Sequence, residues 1–171
     1  MLKALQNELR KLADVSIDQL HQEISKRSGA RATEEQVHAI KDFIFLMPPT
    51  LKVLSKYWSD KKTPHEAKSL SGLIITYIYH PQDLISDDEH GLFGYLDDAY
   101  LVVSSFLKIQ DMYIRNWDEK SELERDLIER ARALINAPQI VIPKVTERID
   151  LVIEDWMAGK IDNIMGKLNG I

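Results

Sequence analysis

Cysteine is absent from the 171 residues of this chain. Disulfides, thiolate nucleophiles and Cys-ligated zinc are excluded with it. The same absence fits a cytoplasmic location, which is the expectation taken forward. A long hydrophobic run is missing as well. The longest stretch without Asp, Glu, Lys or Arg is Ser69–Gln82, 14 residues that include Ser, Thr, Gly, His and Pro. That falls short of the roughly 20 apolar residues a membrane span needs, so no span is expected. No low-complexity linker, internal repeat, G-x-S-x-G, P-loop, H-E-x-x-H or G-x-G-x-x-G is present, and the chemistries those motifs carry have no foothold. Period-two alternation never persists, so no strand is expected.

What is present is ordinary globular composition, 44% apolar and 29% charged, at a length suited to one domain, residues 1–171. Charge is uneven. Residues 1–62 hold 11 basic and 8 acidic side chains, whereas residues 63–171 hold 11 and 19. The slight basic excess of the first part is too weak to indicate nucleic-acid binding. A helix-turn-helix over Leu20–Phe43 would open its second helix with Thr33-Glu34-Glu35, presenting acids to phosphate. No nucleic acid is expected.

Apolar residues recur at helical spacing throughout. Leu2, Leu5, Leu9 and Leu12 form one stripe; Ile17, Leu20 and Ile24 form a second, ended by Gly29. Thr33 and Gln36 have capping-box spacing, and Pro48-Pro49 separates that helix from one carrying Leu51, Leu54 and Trp58. Thr63-Pro64 opens another, which Pro81 must end. Beyond it, a helix from about Asp97 carries Val102, Phe106 and Ile109, and a charged helix places Leu123, Leu127 and Leu134 inside with Asp126–Arg130 paired at i,i+4. A last long helix carries Val145, Ile149, Val152 and Trp156, followed by a weakly amphipathic tail with Ile161, Ile164 and Leu168. The expectation is a compact all-α bundle of seven to nine helices without a sheet. The terminal stripes are expected to dock on the body of the protein or, where exposed, on a protein partner or a second copy of the chain.

One segment concentrates carboxylates. Asp83, Asp87, Asp88, Glu89, Asp97 and Asp98 fall where no Lys or Arg occurs between Lys68 and Lys108. Tyr77-x3-Pro81-x-Asp83-Leu84-Ile85-x-Asp87, followed by Gly94-x-x-Asp97-Asp98, resembles the motif of the YkvA-like family over about residues 77–106. Ser86 stands where that family has proline, and Asp88–Phe93 is more polar than its usual apolar turn. The resemblance implies a bacterial helical domain of a family without assigned function, and therefore a fold but no reaction. In physical terms the motif reads as a helix–loop–helix corner. Pro81 stops one helix, Asp83 forms a turn, and Gly91 and Gly94 allow backbone conformations closed to other residues. Asp97 or Asp98 caps the next helix. The alternative is a divalent-metal centre, in a hydrolase if it is catalytic, with Asp83, Asp87, Asp97 and Asp98 as oxygen ligands. His80 and His90 would then add nitrogens. Oxygen ligands suit Mg²⁺ or Ca²⁺, and a carboxylate–imidazole mixture suits Mn²⁺. No resident cofactor is required by the first reading, and a protein-interaction or regulatory module is the function it favours.

Overall fold

A computed structural model describes residues 2–78, 90–116 and 118–160. Within them the only regular structure is helical, and the expected all-α bundle is what forms. The elements are α1 (Leu2–Val15), α2 (Ile17–Ser28), α3 (Glu34–Ile44), α4 (Met47–Ser59) and α5 (His65–Ile78). A 3₁₀ turn over Gly91–Tyr95 then leads into α6 (Leu96–Met112), α7 (Glu122–Leu134), α8 (Asn136–Val141) and α9 (Pro143–Met157). Among the described residues no helix is long and apolar enough to cross a membrane.

Local chemistry sets many of these boundaries. Thr33 accepts from the Gln36 N–H at 3.2 Å while the Gln36 side chain accepts from the Thr33 N–H at 2.9 Å. This reciprocal capping box starts α3. Gly29 ends α2 at φ +70°, the left-handed cap that a side chain resists. Both Pro48 and Pro49 lie in the first turn of α4, where no intrahelical donor is lost. Asp126 and Arg130 pair at 3.5 Å on α7.

Helix α6 is the axis of the molecule. Thirteen of its 17 residues are buried, and α3, α4, α5, α7 and α9 all pack on it. Over residues 96–106 it has no solvent face, which is why its apolar residues run continuously there instead of forming a stripe. Helices α4 and α5 pack along each other, and α1 and α2 close over the 3₁₀ turn. Buried apolar residues from every layer merge into one core. The stripe of α1 docks on that core, with Leu9 buried and Leu2, Leu5 and Leu12 partly so.

Some positions differ from the spacing-based expectation. Leu123 is 39% exposed, because the buried face of α7 runs through Glu124, Leu127, Ile128 and Ala131. Leu134 is only partly buried. Trp58 is half-exposed and its indole lies across Gly72 of α5. Of the aromatic set, Tyr77, Phe93, Tyr100 and Phe106 are buried, and the Tyr100 ring stands 6.3 Å from that of Phe43.

Gly29 offers a clean test of the cap. A Cβ there would meet nothing within 4 Å, so substitution acts through backbone conformation alone. Gly29→Ala should lower stability by about 1 kcal/mol, and Gly29→Asn by less, as read from denaturant midpoints. Equal stability of all three proteins would refute the left-handed cap.

Candidate functional site

The carboxylate corner is described in part. Pro81, Asp83, Asp87 and His80 lie outside the described residues, as do Ile161, Ile164 and Leu168. Tyr77 is buried in α5, and Gly94 is buried in the 3₁₀ turn. Positive φ belongs to Gly91 (+56°) and not to Gly94. Asp97 is 1% exposed and Asp98 8%, both in the first turn of α6. Neither is its N-cap. That position is Tyr95, because the 3₁₀ turn runs directly into the α-helix and leaves the aspartates at its second and third residues. His90 turns toward α2, its Nδ1 3.4 Å from Glu23 Oε1. Glu23 also faces Arg27 at 3.6 Å, and Arg27 stacks 4.8 Å over the Phe93 ring. Among the described residues no three His, Asp or Glu side chains gather in a way that could hold a metal ion.

Spacing did not single out the most densely connected polar cluster. Ser121 caps α7 through a second capping box, its N–H donating to Glu124 Oε2 at 2.9 Å and its hydroxyl accepting from the Glu124 N–H at 3.3 Å. The Ser121 hydroxyl also donates to the Glu124 carboxylate. Helical geometry places Glu124 above Leu127 and Ile128 on the buried face, and it is only 4% exposed. There it accepts from the Tyr57 hydroxyl of α4, and Lys56 stands 3.6 Å away. Gln110 of α6 donates to Tyr57 at 2.9 Å and accepts from Lys120 at 2.7 Å. Lys120 donates as well to the Ile114 carbonyl.

The electrostatics follow the donor count. Burial pushes Glu124 upward, but the Ser121 and Tyr57 hydrogen bonds and the Lys56 charge outweigh it and hold the carboxyl below its usual range. Burial, then the Glu124 carboxylate, drive Tyr57 well above the normal phenol range. A second cluster repeats the motif with fewer donors. Gln139 donates to the Tyr100 hydroxyl at 2.9 Å, which donates to Asp150 at 2.8 Å. Burial raises Asp150 despite that bond and the Lys108 charge.

Two open depressions adjoin these elements. A groove of about 860 Å³ lies between α1, α4, α5 and α7, floored by Leu2, Phe45, Pro48, Pro49, Ile75 and Leu123. Lys3 and Lys52 stand at it, and among the described residues no carboxylate lines it. A smaller cleft of about 430 Å³ opens beside Tyr57, Lys120 and Glu124. Comparison of the chain with protein-family models, with curated proteins and with solved structures finds no match.

Two experiments address these clusters. Glu124 has a folded pKa below its unfolded value, so its stabilising contribution is complete above the unfolded value of about 4.3. That contribution is lost as pH falls through the folded pKa. Tyr57→Phe removes one of the groups that lower it. The variant should lose about 1–3 kcal/mol at neutral pH and begin acid unfolding at a higher pH than wild type, as followed by circular dichroism. Coincident acid transitions would overturn the assignment. At the corner, Asp97→Asn should cost about 0.3–1 kcal/mol through the helix dipole. Asp97→Ala should cost about 1–3 kcal/mol by removing a buried acceptor. Neither cost should depend on Mg²⁺, Ca²⁺ or Mn²⁺. A cation-specific rise in wild-type melting temperature, absent from the Asn variant, would establish the metal centre instead.

Proposed function

We propose that the protein is an interaction module that receives an acidic amphipathic helix from a protein partner in the groove between α1, α4, α5 and α7. The observation carrying this reading is the composition of the groove. Its floor is apolar, and among the described residues its charged side chains are Lys3 and Lys52, with no Asp or Glu, in a chain whose net charge is −5. A helix laid in such a groove places its apolar face on the floor and its carboxylates beside the lysines. Leu123, exposed on α7, would be covered by that helix.

The YkvA-like resemblance supports the same reading. Its described positions Tyr77, Gly94, Asp97 and Asp98 are all buried, which suits a scaffold that holds elements in place. Docking of the α1 stripe on the core leaves the groove, partly walled by Leu2 and Gln6, as the surface offered to a partner. Recognition here is a matter of shape and charge.

Fluorescence anisotropy with a labelled synthetic helix provides the test. The probe carries Leu at i, i+3, i+4 and i+7 with Glu on the remaining face. It should bind saturably, weaken with added salt, and lose affinity at least about tenfold against Leu123→Asp, the effect of some 1.4 kcal/mol. A control with Lys replacing Glu should bind more weakly. Equal binding of both peptides, or of neither, would overturn the proposal. A concentration-dependent dimer abolished by Leu123→Asp would assign the groove to a second copy of the chain.

A further inference from the structure

Lys120 is a buried cation in an unusual setting. Its side chain is enclosed, with the residue 7% exposed, and its ammonium donates to two neutral acceptors, Gln110 Oε1 and the Ile114 carbonyl. Among the described residues it forms no ion pair within 4 Å. Its nearest buried carboxylate, Glu124, is engaged by Tyr57, Ser121 and Lys56. A charge withdrawn from water and held by neutral acceptors is costly unless an anion joins it. Burial accordingly pulls the Lys120 pKa below the usual lysine range, with Glu124, Asp111 and Glu119 offsetting it only in part.

The cleft supplies a place for that anion. Lys120 lines it together with Lys56, Lys62 and Arg115. Its wall also carries the carboxylates Asp60, Glu119 and Glu124, each hydrogen-bonded within the protein. Asp60 accepts from the Lys62 N–H at 2.9 Å, and Glu119 accepts from the Asn116 amide at 2.7 Å. Pro64, Tyr113 and Ile114 add apolar wall. A volume of about 430 Å³ falls in the range of small-molecule pockets, roughly 300–1,000 Å³.

We infer that this cleft binds a small organic anion, its carboxylate or phosphate placed toward Lys120 and the mouth cations Lys62 and Arg115, and its apolar body against Pro64, Tyr113 and Ile114. The site adjoins the groove for the helix but shares no lining residue with it, and the inference does not rest on that reading. Lys120 supplies the enclosed charge, and the exposed Lys62 and Arg115 guide the ligand in.

Isothermal titration of the full chain with phenyl phosphate, benzoate and phenol tests the inference and separates the two anionic heads. At least one anion should bind saturably and raise the melting temperature, and neutral phenol should do neither. The double variant Lys62→Ala/Arg115→Ala changes only exposed residues. It should melt as wild type does without ligand and bind the anion at least about tenfold more weakly, about 1.4 kcal/mol. Saturation by phenyl phosphate alone assigns a phosphate ligand, and by benzoate alone a carboxylate. No saturable response to either anion, undiminished binding by the double variant, or equal binding of phenol would overturn it.

Discussion

A helix buried on every face must find a partner inside the protein for each polar group it carries, since water cannot reach them. Helix α6, buried all round over residues 96–106, imposes this demand, and Ser105 Oγ goes without a hydrogen-bond partner among the described residues. Along its length it carries Asp97, Asp98, Tyr100, Ser104, Ser105 and Gln110, all buried. Gln110 reaches Tyr57 on α4 and Lys120 ahead of α7. Tyr100 reaches Gln139 on α8 and Asp150 on α9. Polar bonds from one helix thus tie three others and the segment ahead of α7 to it, which apolar packing alone would leave freer to slide.

The two networks share a grammar, glutamine to tyrosine to carboxylate, yet their carboxylates shift in opposite directions. Glu124 is met by the Ser121 amide and hydroxyl, the Tyr57 hydroxyl and Lys56, and it titrates low. Asp150 receives the Tyr100 hydroxyl and the field of Lys108, with Glu154 opposing, and burial wins. The consequences for stability oppose each other. Glu124 loses its contribution as acid protonates it, whereas Asp150, whose charged form is disfavoured in the fold, is relieved of a penalty by protonation. The capping box decides the difference, because it adds two donors that Asp150 lacks.

Where a boundary depends on neighbours in sequence, the residues announce it. Thr33 with Gln36, Gly29, and Pro48-Pro49 each act within a few residues of themselves, and the fold uses them as spacing and backbone preference require. Ser121-x-x-Glu124 carried the same kind of signal. Its box could be read from spacing, and Glu124 also falls three and four residues before Leu127 and Ile128. What could not be read was the partner, since Tyr57 is 67 positions away. The inward placing of Leu123 failed for the matching reason, because Glu124 occupies the face that an apolar count assigns to leucine. At the corner, two aspartates in the first turn were foreseeable, but their displacement from the cap depended on the 3₁₀ turn over Gly91–Tyr95.

The groove and the cleft meet along one seam where α4 packs on α7. Consecutive residues divide between them. Ser55 and Leu123 line the groove, and Lys56 and Glu124 line the cleft. A helix turns about 100° per residue, so neighbours on one helix face different sides of such a seam. The side chains that wall the cleft are therefore the ones that hold α4 to α7, through Tyr57, Lys56 and Glu124. Leu123 stays exposed beside a carboxylate whose charge is stabilised from α4 and from the cap of α7.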